Sequence, residues 1–244
     1  MWSVWSDPVD LYLGQRVAML QAGRRPAVIV EHPNALPVGS LLAELSSAMA
    51  QIKPPIKLAR NRLRIVLGGA LCPAIGFAAP PTVTRWDELR SIATATAAMN
   101  MGVGAEQTNC DIDVARQGVA GAVPSALVQE LGHWAAQHRC SVASVQPLWA
   151  LASQSRAARA PSVQGVLVED PDSLTLLMDD YGGGLVVSTF VGTGAPGAAQ
   201  TQARRWLVNQ GLEANALLKL CFGTQSNAAM LHGPHAWANH WYLP

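Results

Sequence analysis

Over the first thirty residues, short apolar runs alternate with turn-forming residues. Segments 10–13, 16–21 and 26–31 each have strand length, and Gly14-Gln15 and Ala22-Gly23-Arg24 part them. Connections this short predict an antiparallel meander. The period then changes, because Leu41, Leu42, Leu45, Met49 and Ile52 recur at helical spacing over 38–52. Ser40 is the candidate cap, Glu44 lies in the first turn, and Pro54-Pro55 follow the end. Residues 65–84 carry no charge and are long enough to cross a bilayer. Gly68, Gly69, Pro73, Gly76, Pro80 and Pro81 interrupt them, which predicts two buried strands instead, 63–68 and 74–78. Helices are expected over 86–101 and 125–138, a hairpin from 111–117 and 119–123, a strand over 141–146 and a short helix over 147–152. The alternation of strands and helices predicts an α/β fold.

Residues 153–162, poor in bulky apolar side chains and containing Pro161, read as a linker. Beyond them the opening pattern returns. Strands are expected over 165–169, 173–178 and 185–191, joined by turns at 170–172 and 179–184, then a helix over 199–212 and a strand over 217–222. Strand-turn-strand-turn-strand-helix thus occurs twice. The expected division is a first half, 1–158, carrying an inserted α/β subdomain, and a second half, 159–244.

Composition narrows the classes. The 244 residues are 50% hydrophobic and 14% charged, against about 25% charged in ordinary chains, so a disordered charged tail is excluded. A net charge of +1 provides no long-range field to gather nucleic acid. Cys72, Cys110, Cys140 and Cys221 are scattered without a C-x-x-C pair and read as reduced thiols. The opening MWSVWSDPVD lacks the basic and apolar regions of a secretion signal, so a cytoplasmic chain is expected. Of 8 tryptophans, Trp2, Trp5, Trp237 and Trp241 lie at the two ends. Either they pack together outside the repeating framework, or Trp237 and Trp241 offer aromatic anchors to a partner.

Leu11-Tyr12-Leu13-Gly14 with Val17-Ala18-Met19-Leu20, and 166–191 with its Gly182-Gly183-Gly184 turn, resemble the two βββα halves of the actin, sugar-kinase and Hsp70 superfamily. Val119-Ala120-Gly121-Ala122-Val123-Pro124 before a helix, and 141–147 ending in Val145-Gln146-Pro147, add to the likeness. Within that superfamily the layout is similar to PilM-like proteins of type IV pilus assembly and to the GspL-like cytoplasmic domain of type II secretion. The resemblance implies an actin-like α/β fold with duplicated halves, the second truncated. It also implies a scaffold at the inner-membrane face, peripheral to the membrane. Its partners would be a bitopic inner-membrane assembly protein or that protein's cytoplasmic tail, and an assembly ATPase.

Nucleotide chemistry in the superfamily uses an acidic residue and then glycine at the first hairpin of each half. Here Tyr12 stands in the acidic position, and a neutral phenol organises no magnesium ion. In 168–172 the acid is Glu169, but Pro171 replaces the glycine and removes a donor. Asp170 and Asp172 add negative charge where a phosphate would sit. Near Gly223-Thr224 one glycine of the adenosine motif is kept, and the chain ends soon after. A site that has lost its nucleotide is expected, with no cofactor and no catalytic residue. The alternative is a small-molecule kinase or ATPase holding ATP and magnesium at Glu169, Asp172, Gly192, Thr193 and Gly194. The 192–197 loop suits an anion at a helix start but has no following lysine.

Other chemistry is sparse. No G-x-S-x-G or H-E-x-x-H occurs. His232, His235 and His240 read as a zinc set or as a loose tail, and Asp111 with Asp113 as a cation pair or a solvated strand face. Lys53, Lys57, Arg60, Arg62 and Arg64 form a basic run without an acid. Alternation puts Arg60, Arg62 and Arg64 on one strand face, to meet an acidic partner or anionic lipid, or to protect a solvated edge strand.

Overall fold

The computed structural model describes residues 9–23, 26–52, 61–113, 118–155, 158, 163–179, 185–192, 198–211, 217–222, 229–230 and 241–243. The first half opens with β1 (Val9–Leu13), β2 (Val17–Ala22) and β3 (Val28–Glu31), followed by helix α1 (Val38–Ala50) and β4 (Asn61–Leu67). An insertion follows, comprising β5 (Ala74–Gly76), α2 (Trp86–Met101), β6 (Thr108–Ile112) and β7 (Val119–Pro124). Then come α3 (Ser125–Gln137), β8 (Cys140–Pro147) and α4 (Leu148–Ser153). The main sheet runs β3-β2-β1-β4-β8, and β5-β7-β6 form a smaller sheet. β1 is antiparallel to β2, while β1–β4 and β4–β8 are parallel. Parallel neighbours need a crossover, and α1 and α3 lie in those connections.

All of β1 is buried, because both faces of the sheet are covered. Val9, Leu11 and Leu13 join Leu63 and Ile65 under α1 and α3, meeting Leu41, Leu45, Leu131 and Trp134. Tyr12, Val17, Met19 and Val66 face the other way, into a core shared with the second half. Trp149 of α4 lies in that shared core, 1% exposed, and its indole N–H donates to the Cys72 carbonyl at 3.0 Å. The insertion has its own small core, in which Ala93 and Ala97 of α2 pack on Cys110, Ile112, Ala120 and Ala122.

The second half repeats the plan with β9 (Gly165–Glu169), β10 (Ser173–Asp179), β11 (Leu185–Val191), α5 (Ala198–Asn209) and β12 (Leu217–Phe222). β13 (Ala229–Met230) and β14 (Trp241–Leu243) extend the sheet to β11-β10-β9-β12-β14-β13. β9–β12 is parallel, like β1–β4. The halves differ at the next strand: β8 joins its sheet in parallel through a crossover helix, whereas β14 joins β12 antiparallel.

Several sequence expectations are corrected. β6 begins at Thr108, because Thr108, Cys110 and Ile112 are its inward set; of the expected strand 111–117, residues 114–117 lie outside the description. α1 begins directly after Pro37, so Ser40 sits inside its first turn and makes no cap hydrogen bond. α4 runs to Ser153, and Ala158, in the expected linker, is buried in the shared core. α5 ends at Asn209, with Gly211 at φ +67 in the turn beyond. Trp241 is part of the sheet framework, not outside it: it pairs with Phe222 on β12. β4 is an interior strand rather than an edge, lying between β1 and β8. No helix among the described residues is long and apolar enough to cross a membrane.

Candidate functional site

The turn joining β1 to β2 (Gly14, Gln15, Arg16) faces the turn joining β9 to β10 (Asp170, Pro171, Asp172). Each is closed by a backbone bond: Gly14 N–H to Val17 O at 2.8 Å, and Asp170 N–H to Ser173 O at 2.9 Å. The Asp170 carboxylate organises its own turn, Oδ1 accepting the N–H groups of Asp172 and Ser173, each at 2.8 Å. Its Oδ2 accepts the Ser173 hydroxyl at 2.7 Å and, from the loop after β4, Gly69 N–H at 2.8 Å. All four acceptor positions of this buried carboxylate are therefore used.

Asp172 reaches across to the first half. Its Oδ2 accepts Gln15 N–H at 2.6 Å and Arg16 N–H at 3.1 Å, and its Oδ1 accepts Arg16 Nε–H at 2.7 Å. Arg16 Nη2 also donates to the Pro171 carbonyl. Asp172 is 3% exposed. A Cβ on Gly14 would overlap its Oδ2, so glycine is needed there for the carboxylate to enter. Tyr12 lies beneath, 0% exposed, with a hydroxyl that has no hydrogen-bond partner among the described residues. Burial drives its phenol well above the usual range, the charges of Asp170 and Asp172 add to that, and Arg16 opposes it, so Tyr12 stays a neutral donor. Burial also raises the Asp170 carboxyl, with its hydrogen bonds from Gly69, Ser173 and Asp172 opposing.

Of the residues expected to hold ATP and magnesium, Asp172 and Gly192 are neighbours, whereas Glu169 is turned toward α5. Leu167 and Glu169 share the β9 face under α5, while Val166 and Val168 point into the shared core. Glu169 is bonded to Lys219 Nζ at 2.6 Å and to Gln200 Nε2, away from Asp172. Gly192 donates its N–H to the Asp172 carbonyl at 2.8 Å, and Thr193 and Gly194 lie outside the described residues. The residues in the cleft do not fit a magnesium triphosphate: both carboxylates are already engaged and the first hairpin presents Tyr12 in place of an acid. Among the described residues, no group of three or more His, Cys, Asp or Glu side chains is placed to hold a metal ion. Asp111 is exposed on β6, and Asp113 lies past the strand end.

The basic run is similarly divided. Lys53, Lys57 and Arg60 lie outside the described residues, and Arg62 is exposed on β4. Arg64 clamps Asp10 of β1 through Nε at 2.6 Å and Nη2 at 2.8 Å, so its guanidinium has a partner within the sheet. Trp237 and the histidines His232, His235 and His240 lie outside the described residues. Sequence reasoning missed Arg16, Gly69 and Ser173. The available signal was the D-P-D-S turn, whose first aspartate suits an Asx-type turn, together with a lone arginine in the opposing hairpin.

No protein-family model matches the chain, and no curated protein matches it in sequence. In structure it is similar to a Bacteroides thetaiotaomicron protein with an actin-like ATPase fold and unknown function. The TM-score is 0.57 at 9% identity, covering 93% of this chain and 87% of that one. The fold is actin-like. The actin-like chain is also similar to the cytoplasmic domain of EpsL, an inner-membrane component of the type II secretion system of Vibrio cholerae. There the TM-score is 0.51 at 11% identity, covering 89% of this chain and 83% of that one.

Proposed function

We propose that this chain is a non-catalytic actin-like scaffold, built of halves 1–158 and 159–244. It docks components of a type II secretion or type IV pilus machine at the cytoplasmic face of the inner membrane. The observation that carries the non-catalytic part is the Asp172–Arg16 clasp, which uses the cleft's donors on the chain's own carboxylate. The structural likeness to the EpsL cytoplasmic domain supports the secretion part. Partners of matching kind are a bitopic inner-membrane protein or its cytoplasmic tail, and an assembly ATPase.

Affinity purification from membranes of the native cell tests the docking role. An inner-membrane secretion or pilus component is expected to co-purify, and recovery of none would sink the reading. Isothermal titration with MgATP tests the other half. No binding is expected, whereas micromolar, magnesium-dependent binding lost in Glu169→Ala would restore the kinase or ATPase alternative.

A further inference from the structure

We propose that the β1–β2 turn is an oxyanion receptor whose resident ligand is the chain's own Asp172, a built-in plug that keeps free phosphate and carboxylates out of the cleft. Two consecutive backbone N–H groups and a guanidinium Nε–H converge on one carboxylate, within 2.6 to 3.1 Å. This is how an anion nest holds a phosphate or carboxylate oxygen. The ligand comes from a turn more than 150 positions away in sequence, so the clasp also ties one half to the other.

A second observation points the same way. The point where Gly14 lacks a Cβ has Asp172 Oδ2 and Tyr12 Oη as its nearest neighbours. The Tyr12 hydroxyl, buried and without a hydrogen-bond partner among the described residues, is a fourth donor at the receptor that Asp172 leaves unmet. An anion with more oxygens has a use for it. Asp172 nevertheless wins, because the Asp170 turn holds it in place and its effective concentration at the nest exceeds that of a free ion. The inference concerns the cleft alone and stands or falls separately from the partner assignment.

Asp172→Ala empties the receptor while leaving Gln15, Arg16 and Tyr12. Melting temperatures are compared in potassium phosphate, potassium acetate and potassium chloride at constant ionic strength. The Asp172→Ala protein is expected to gain a saturable rise of roughly 5–10 °C at about a hundred-fold excess of anion over its Kd. Wild type shows only the small, unsaturating effect common to such salts, and the Arg16→Ala/Asp172→Ala double variant loses most of the gain. A response to phosphate alone, acetate alone or both supports the receptor and names its preferred oxyanion. If Asp172→Ala responds no more than wild type, or the double variant responds equally, the proposal is overturned. Should the alanine variant fail to fold, Asp172→Ser, which keeps one small acceptor, carries the same measurement.

Discussion

Replacing Asp170 with asparagine probes the carboxylate that organises the cleft, and its effect depends on pH. The amide keeps Oδ1 for the N–H groups of Asp172 and Ser173, but it turns a donor toward Gly69 N–H. The Ser173 hydroxyl can rotate to accept, whereas the Gly69 donor is left unmet in a buried position. One such group costs about 1–3 kcal/mol. Titration adds a second term with a definite sign. Burial raises the Asp170 carboxyl above its ordinary value of 3.8, so the native protein holds that proton more tightly than the unfolded chain. The associated stability is fully present below the unfolded value and is lost as pH rises through the folded one, at about 1.4 kcal/mol per unit of separation. Asparagine does not titrate, and groups common to both proteins cancel to first order. Wild-type stability minus that of Asp170→Asn should therefore fall as pH rises across this window and then level off. Urea unfolding followed by far-ultraviolet circular dichroism at a series of pH values measures it. A difference that stays flat, or grows with pH, refutes the reasoning.

Two further substitutions test the frame around the cleft. Arg64→Ala strands the Asp10 carboxylate, which is 3% exposed, without its cation. The expected loss is about 2 kcal/mol, below the value for fully buried pairs because the Arg64 side chain is 34% exposed. A double-mutant cycle with Asp10→Asn should return a coupling of similar size, and zero coupling would show that the contact is not worth what its geometry suggests. Trp149→Phe keeps a ring in the shared core but leaves the Cys72 carbonyl unmet. A loss of about 1.5–3 kcal/mol is expected in urea melts, and a variant as stable as wild type would remove Trp149 from the account of how the halves are joined.

Much of the frame is legible along the chain because its punctuation is local. Gly14-Gln15, Gly23 and the D-P-D turn lie where hairpins need them, and the change of period at 38 marks α1. What fails is local in appearance only. Thr108 and Cys110 are moderate in polarity, so the inward alternation of β6 is faint and the strand is placed too late. Arg60, Arg62 and Arg64 look like the charged face of an edge strand, yet the partner of Arg64 is Asp10, 54 positions away, which the parallel pairing of β1 with β4 brings alongside. Strand order is a tertiary fact, and it gives that charge its partner within the sheet.

In the cleft, strand parity separates residues that composition groups together. Glu169 and Asp172 look like one acidic group in sequence, but Glu169 shares the alternating face of Leu167 and so meets α5. Asp172 lies past the strand end and is under no such constraint. In sequence, Asp170 and Asp172 read as charges that repel a phosphate, and the structure adds a second mechanism, occupancy. Arg16 offsets the charge of Asp172 at 2.7 Å, which leaves little net repulsion from that side chain. Occupancy is the stronger bar, since a free anion must first break the bonds from Gln15 and Arg16 to Asp172 and leave that carboxylate buried without partners. Tyr12 in the acidic position belongs to the same solution: a third carboxylate beside Asp170 and Asp172 would stand unpaired in the core, whereas a neutral phenol packs against Phe222 at 4.6 Å between ring centres and adds no charge.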